Sequence, residues 1–252
     1  FNVNLSTTRR KSDIGFRDAF KYATIYNPTA PIYSKDPLYD LTGGGYFEAN
    51  LVDYSNPVAM LRQNMNHADL QRFNVAGSAE FEIIPGLKFL LRYAQETSSN
   101  FAQAYLPINA FISRNYLVGV TGFGRHGYAY KQDDEGSNQL YENTLTYEKK
   151  FDRLNLQALA GYSYQDFVYQ GFGAQGGNFV TDYSGQNFSA ALDFQNGIGS
   201  VSSYKNGYKL IAFFGRVNLN YDNIAFLSAS LRREGSTEFG SNNQWGYFPA
   251  VS

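Results

Sequence analysis

The sequence predicts an all-β protein, an antiparallel transmembrane β-barrel segment with long loops on one side. Three observations lead there. Apolar residues alternate with polar ones over long runs, the apolar face of each run lacks charge, and few-residue turns alternate with very long linkers. Composition agrees. Of 252 residues only 17 % are charged, against roughly 25 % in soluble domains, while 17 % are aromatic. No apolar run approaches the roughly 18 residues of a membrane helix, and the longest candidate, Leu210 to Phe214, is far shorter. Barrel strands need no such run, because they bury only alternate residues.

The first hairpin sets Phe73, Val75, Gly77, Ala79, Phe81 and Ile83 against Asn74, Ser78, Glu80 and Glu82, then turns at Pro85-Gly86 into Leu87, Phe89, Leu91 and Tyr93. The second runs through Tyr141, Leu145 and Tyr147, turns near Asp152, and returns through Leu154, Leu156, Ala158, Ala160, Tyr162 and Tyr164. The third pairs Ile211, Phe213, Gly215, Val217, Leu219 and Tyr221 with Leu227, Ala229 and Leu231 across Asp222-Asn223. Membrane strands are therefore expected over 73–83, 87–96, 140–149, 154–166, 209–221 and 225–235, with Phe73, Val75, Phe81, Leu91, Leu156, Phe213, Val217 and Leu231 toward lipid. Such lengths match the roughly 9–11 residues of a tilted membrane strand better than the 5–6 of a globular one.

The linkers at about 9–71, 97–138 and 168–206 all fall on one side of the meander. Loops beyond about 12–15 residues are uncommon inside compact domains. Short turns on one side and long loops on the other are the habit of outer-membrane barrels, whose long loops face the exterior. Within the first linker, Phe16, Phe20, Ala23 and Tyr26 recur at helical spacing, Ser12-Asp13 supplies caps, and Asn27-Pro28 stops the run. Asn56-Pro57 caps a second short helix through Val58, Met60 and Leu61. An apolar helix face in a loop must pack on something, so this linker is expected to fold over the barrel mouth.

Composition also excludes. A net charge of -1 argues against the basic face that nucleic-acid binding requires. Without cysteine there is no disulfide, thiolate nucleophile or cysteine zinc site. His67 and His126 lack partners at ligand spacing, and Asp133-Asp-Glu-Gly136 lacks the closing Glu of a calcium loop and reads as a solvated turn. The glycine clusters at 43–45, 122–124 and 171–177 lack the Lys-Ser/Thr of a phosphate loop and read as flexible loop. Glu80 and Glu82 form a carboxylate pair of the kind glycosidases use, but polar wall residues account for them equally. No catalytic residue, metal or cofactor is expected. Loop aromatics are the binding signal: Tyr46, Phe47, Phe101, Tyr105, Phe111, Tyr116, Phe123, Tyr128 and Tyr130, with Phe172 and Phe179 in the third linker. They suit stacking on a ligand or packing of loop on loop.

The stretch Phe16-Arg-Asp-Ala-Phe-Lys-Tyr-Ala-Thr-Ile-Tyr-Asn-Pro-Thr-Ala-Pro-Ile-Tyr33, then Gly44-Gly-Tyr-Phe-Glu48 and Asn56-Pro-Val-Ala59, resembles the SusC/RagA family of TonB-dependent outer-membrane transporters. So does Phe214-Gly-Arg-Val-Asn-Leu-Asn-Tyr221, running on through Leu227-Ser-Ala-Ser-Leu-Arg-Arg-Glu-Gly-Ser236 to Trp245-Gly-Tyr-Phe-Pro-Ala-Val-Ser252. The middle linkers match nothing in the family. The resemblance implies a bacterial outer-membrane barrel of about 22 strands, of whose single barrel domain residues 1–252 are a part. The signal peptide, plug and terminal strands then lie outside this chain, which opens on an alternating Phe1-Asn-Val-Asn-Leu5 without a signal region. It further implies a SusD-like surface lipoprotein as a lid, energy delivered by the TonB complex through the plug, and import of an oligosaccharide or oligopeptide. Tyr46, Phe47, Tyr105 and Phe111 are the expected substrate- or lid-contacting residues. The competing reading is a soluble carbohydrate-binding β-sandwich or glycosidase fragment, in which the apolar faces of two sheets would meet in a core.

Overall fold

The computed structural model describes residues 1–13, 18–51, 54–115, 126–184 and 187–252. Eight strands form one sheet in strict sequence order, each antiparallel to the next. They are β1 (Asn2–Asp13), β2 (Met65–Ile84), β3 (Leu87–Leu106), β4 (Tyr128–Phe151), β5 (Leu154–Gly177), β6 (Ser200–Tyr221), β7 (Ala225–Ser236) and β8 (Trp245–Val251). Four short helices lie in the long connections: α1 (Asp18–Ile25), α2 (Pro57–Gln63), α3 (Phe111–Asn115) and α4 (Leu192–Gln195).

The tight turns are chemically determined. Gly86 sits at φ 84° with the Glu148 carbonyl where a Cβ would be, and its own carbonyl accepts the Glu148 N–H at 2.7 Å. At the other two turns Asp152, Asp222 and Asn223 take left-handed φ of 49°, 51° and 59°, which short Asx side chains tolerate.

Directly opposed residues share a face, so the register sorts the side chains. One row crosses from Phe81 through Phe89, Leu145, Ala160 and Gly215 to Leu231 without a charge. A second, nearer the long loops, runs Tyr93, Tyr141, Tyr164, Ile211, Gly235, Trp245. All eight residues expected toward lipid lie on this face. From Leu154 to Tyr164 the apolar stretch of β5 extends about 33 Å, which at a tilt of 35–45° spans roughly 25 Å, the height of an outer-membrane apolar band. The row of tyrosines closes one end of that stretch. Between these two rows, two polar residues interrupt the face. Asn143 donates to the Tyr141 hydroxyl at 3.1 Å, and the Arg233 guanidinium lies 4.2 Å from the Trp245 ring centre.

The opposite face is polar. Lys88 pairs with Glu80 at 3.9 Å and Arg92 with Glu142 at 3.5 Å, while Glu148, Gln157, Asn218 and Ser228 form a hydrogen-bonded ladder across four strands. The sheet has no second sheet against its apolar side, and Phe73, Phe213 and Leu231 there are 43 %, 49 % and 50 % exposed. The buried core sits instead in the loops and the strand ends beside them. A sandwich would bury the apolar face, and this fold does not.

The strands are longer than the alternation predicts. β2 to β6 run 20 to 24 residues and continue into what reads as linker. Parts of these extensions are polar on both faces, as in Thr97-Ser-Ser-Asn100, where no period marks the strand and the backbone ladder holds it, whereas the extensions of β5 and β6 carry Phe167, Tyr169, Tyr204 and Tyr208. The long connections shrink to 14–64, 107–127 and 178–199. Asp133 to Gly136 is the interior of β4, not a turn, and Gly171, Gly173 and Gly176 belong to β5, not to a flexible loop.

Candidate functional site

The first connection folds around one buried asparagine. The Asn56 Oδ1 accepts the Val58 and Ala59 N–H groups at the start of α2, and its Nδ2 donates to the carbonyls of Ile32 at 2.7 Å and Phe47 at 3.2 Å. Its backbone N–H donates to Glu48, itself 3 % exposed, whose carboxyl burial raises to a pKa of about 7 against the single opposing Asn56 N–H. Residues 32–34 pair antiparallel with 45–47. Around them Tyr26 stacks on Tyr54 and Tyr39 on Phe47. Burial and the neighbouring Tyr54 and Glu48 push the Tyr26 hydroxyl up to about 12.

The helix before it is rotated from the expected orientation. Ala19 and Tyr22 pack with Met60, whereas Phe20 is 80 % exposed and Ala23 is also exposed. Phe16 lies outside the described residues. In the expected second helix, Met60 is buried but Leu61 faces out.

The three connections form one assembly. Ala19 and Met60 from the first share a cluster with Leu106, Ala110, Ile112 and Tyr128 of the second and its flanking strands. The Thr42 hydroxyl donates to the Asn109 carbonyl. Tyr105 and Ala129 share another cluster with Phe179 and Ala191 of the third. Two aspartates tie this junction. Asp182 accepts the Tyr105 hydroxyl at 2.6 Å and the Ile108 N–H at 2.8 Å. Fully buried Asp193 accepts the Gly177 N–H and the Asn178 side chain at 2.7 and 2.6 Å. Neither aspartate is conspicuous in the sequence, where both sit among Ser, Asn and Gly.

Of the expected contact residues, Tyr105 and Phe111 are each 8 % exposed and packed inside this assembly. Tyr46 and Phe47 are half-buried, Tyr46 against Tyr33 and Phe47 against Tyr39. Tyr116, Phe123, Gly122 and Gly124 lie outside the described residues. Glu80 and Glu82 both face the polar side, where Glu80 pairs with Lys88 and Glu82 accepts the Gly86 N–H at 3.1 Å, bracing the hairpin turn. Gly43 and Gly45 take positive φ in a turn of the first connection.

No protein-family model matches the chain. It is similar to TonB-dependent receptor P3 of Formosa agariphila, 30 % identical over 248 residues, which are 98 % of this chain and 23 % of that protein. Similarity to TonB-dependent receptor SusC of Bacteroides thetaiotaomicron covers the whole chain at 24 % identity and 25 % of that protein. The solved RagAB peptide transporter superposes with a TM-score of 0.74 at 17 % identity, over 99 % of this chain and 27 % of that one. The chain is a segment similar to the SusC/RagA-like TonB-dependent receptors. It spans about a quarter of the length of the curated relatives it matches. These relatives place it in the bacterial outer membrane.

Proposed function

We propose that this chain supplies barrel wall and extracellular loops to a receptor that imports an oligosaccharide or oligopeptide across the outer membrane. The observation that carries the reading is the single-layer sheet, apolar outside and charged inside, with all three long connections joined over one edge. In this reading residues 1–252 are part of one barrel of about 22 strands that a plug domain occupies. The TonB complex supplies energy through the plug, and a SusD-like surface lipoprotein lids the mouth.

Tyr46 and Phe47 are the contact residues of the loop assembly, and Tyr105 and Phe111 hold it in shape from within. The exposure of Phe20 (80 %), Leu38 (74 %) and Leu61 (54 %) on the first connection supports a covering partner there. Deletion of the receptor and deletion of TonB in the source bacterium test the reading. Both should abolish growth on the same glycan or peptide as sole nutrient. Growth on every nutrient that survives loss of the receptor but not of TonB, or the reverse, would remove it.

A further inference from the structure

The inner face of the wall is charged on both flanks of β5 and β6, through Arg92 and Glu142 on one side and Arg232 and Glu234 on the other. Between them, the inward positions from Gly161 to Gly171 and from Tyr204 to Phe214 carry no charged side chain. They carry rings. Phe167 and Tyr208, directly opposed, stack with centres 4.4 Å apart and planes 20° apart.

At three further levels an inward aromatic faces a glycine on the next strand: Phe214 opposite Gly161, Tyr169 opposite Gly136, Tyr204 opposite Gly171. A Cβ at Gly161 or Gly171 would overlap the opposing ring, and one at Gly136 would come within 3.3 Å of Tyr169. The rings therefore reach across the neighbouring strand; Tyr169 and Tyr204 leave one face open, and the Arg232 guanidinium sits 5.7 Å from the Phe214 ring centre. Tyr204 is fixed there by its hydroxyl, which donates to Asp134 at 3.0 Å, and Gln132 holds Asp134 at 2.7 Å. Tyr169 and Tyr204 remain 46 % and 45 % exposed.

We propose that this strip is a binding track for an uncharged oligosaccharide, which rests its C–H faces on the rings as it passes through the barrel. The inference rests on the import reading above. An aromatic face carries negative quadrupole potential and attracts the weakly positive C–H hydrogens of a sugar ring. The amides of Gln165 and Asn206 and the carboxylate of Asp134 flank the rings and suit hydroxyl groups. The scarcity of charge along the strip, Asp134 excepted, decides the ligand class. Peptide termini and charged side chains would want counter-charges here. Addition of a peptide as an extra strand is closed off as well, because β5 is paired on both sides. From Tyr204 to Phe214 the rings spread over about 33 Å of β6, a length for a chain and not for a single sugar.

The test uses the full-length receptor purified in detergent with its lid. Titration calorimetry is run with maltoheptaose, cellohexaose, laminarihexaose and mannohexaose, and with a tryptic casein digest as the peptide arm. One of the oligosaccharides should bind saturably. Phe167→Ala with Tyr208→Ala should weaken it about tenfold or more, Tyr204→Ala severalfold, and Tyr204→Phe less than twofold, because the ring is kept. Phe213→Ala on the lipid face should leave affinity unchanged. Should the double variant fail to fold, Tyr204→Ala at the exposed end of the strip decides alone. Undiminished glycan affinity in the strip variants overturns the proposal, as does binding of casein peptides only, or of none of the probes. Binding in detergent needs no TonB, so these failures are separate from failure of the import reading.

Discussion

Glu48 lies buried against the first turn of α2, its Oε2 accepting the Asn56 backbone N–H at 3.0 Å while the Asn56 side chain caps the helix. The pair joins three backbone segments, 32–34, 45–48 and 56–59, into one unit. Asn56→Ala removes the cap and the side-chain donor to the Phe47 carbonyl, while the Ile32 carbonyl keeps the Phe47 N–H. The expected cost is about 3 kcal/mol, local to the first connection. Hydrogen exchange should show residues 27–64 losing protection while β4 and β5 keep theirs. Equal protection in variant and wild type would refute the role.

The same pair makes the first connection pH-sensitive. The folded carboxyl has a pKa of about 7 against an ordinary value of 4.5, raised by burial. The folded state thus binds this proton more tightly than the unfolded one, and stability is full below pH 4.5 and lost as pH rises through 7. The loss amounts to roughly 3 kcal/mol at most. Limited proteolysis of the full receptor at pH 5.5 and pH 8 should cut the first connection faster at pH 8. Glu48→Gln should erase the difference, and a pH effect that persists in this variant assigns it to another group.

The Asn56-Pro57 signature and its helix are legible in the sequence, because a cap followed by a first-turn proline has few other uses. Glu48 is not, since nothing around it in the sequence marks a carboxylate after Tyr46-Phe47 as buried until Asn56 is placed against it. The α1 face misleads for a similar reason. Phe20 and Ala23 fit a helical period as well as Ala19 and Tyr22 do, and only contact with the Met60 cluster selects the second pair. Strand faces are legible where apolar and polar residues alternate. Beyond that stretch, as at Asp133 to Gly136, both faces are polar and the period disappears although the strand continues.

The register can be checked at a single pair of positions. Val217 opposes Ala158 and Ala229 on the apolar face, while Asn218 opposes Gln157 and Ser228 on the polar one. A nitroxide at Val217 in the reconstituted receptor should be relaxed by oxygen and shielded from a polar nickel reagent, and one at Asn218 should behave the other way round. The reverse pattern would mean that the strand is turned over.

β1 and β8 are the two edges of this sheet, and each has an unpaired side. In hydrocarbon every open backbone group costs several kcal/mol, so the 252 residues alone should not fold as a membrane unit. In plain buffer the exposed apolar face should drive aggregation. Analytical ultracentrifugation of the refolded segment should show large heterogeneous species. A monodisperse, cooperatively melting product would instead favour the soluble sandwich.

The four loop aromatics should separate into two kinds. Tyr105 donates from inside the assembly to Asp182 and packs edge-on against Phe179, with ring centres 5.7 Å apart. Phe111 starts α3 and is equally buried. Truncating either opens a cavity, and the typical cost of Phe→Ala in a core is about 3–5 kcal/mol. Tyr46 and Phe47 are only half-buried, on the connection that also exposes Phe20 and Leu38. Their truncation should cost the assembly little and remove contact area from whatever covers it. In the full-length receptor, Tyr105→Ala and Phe111→Ala should therefore speed proteolysis of the second and third connections. Tyr46→Ala with Phe47→Ala should leave proteolysis unchanged and reduce capture of a SusD-like lid from detergent extracts. If lid capture and nutrient uptake both survive that pair of substitutions, Tyr46 and Phe47 only pack the first connection, and the contact surface lies elsewhere on the loops.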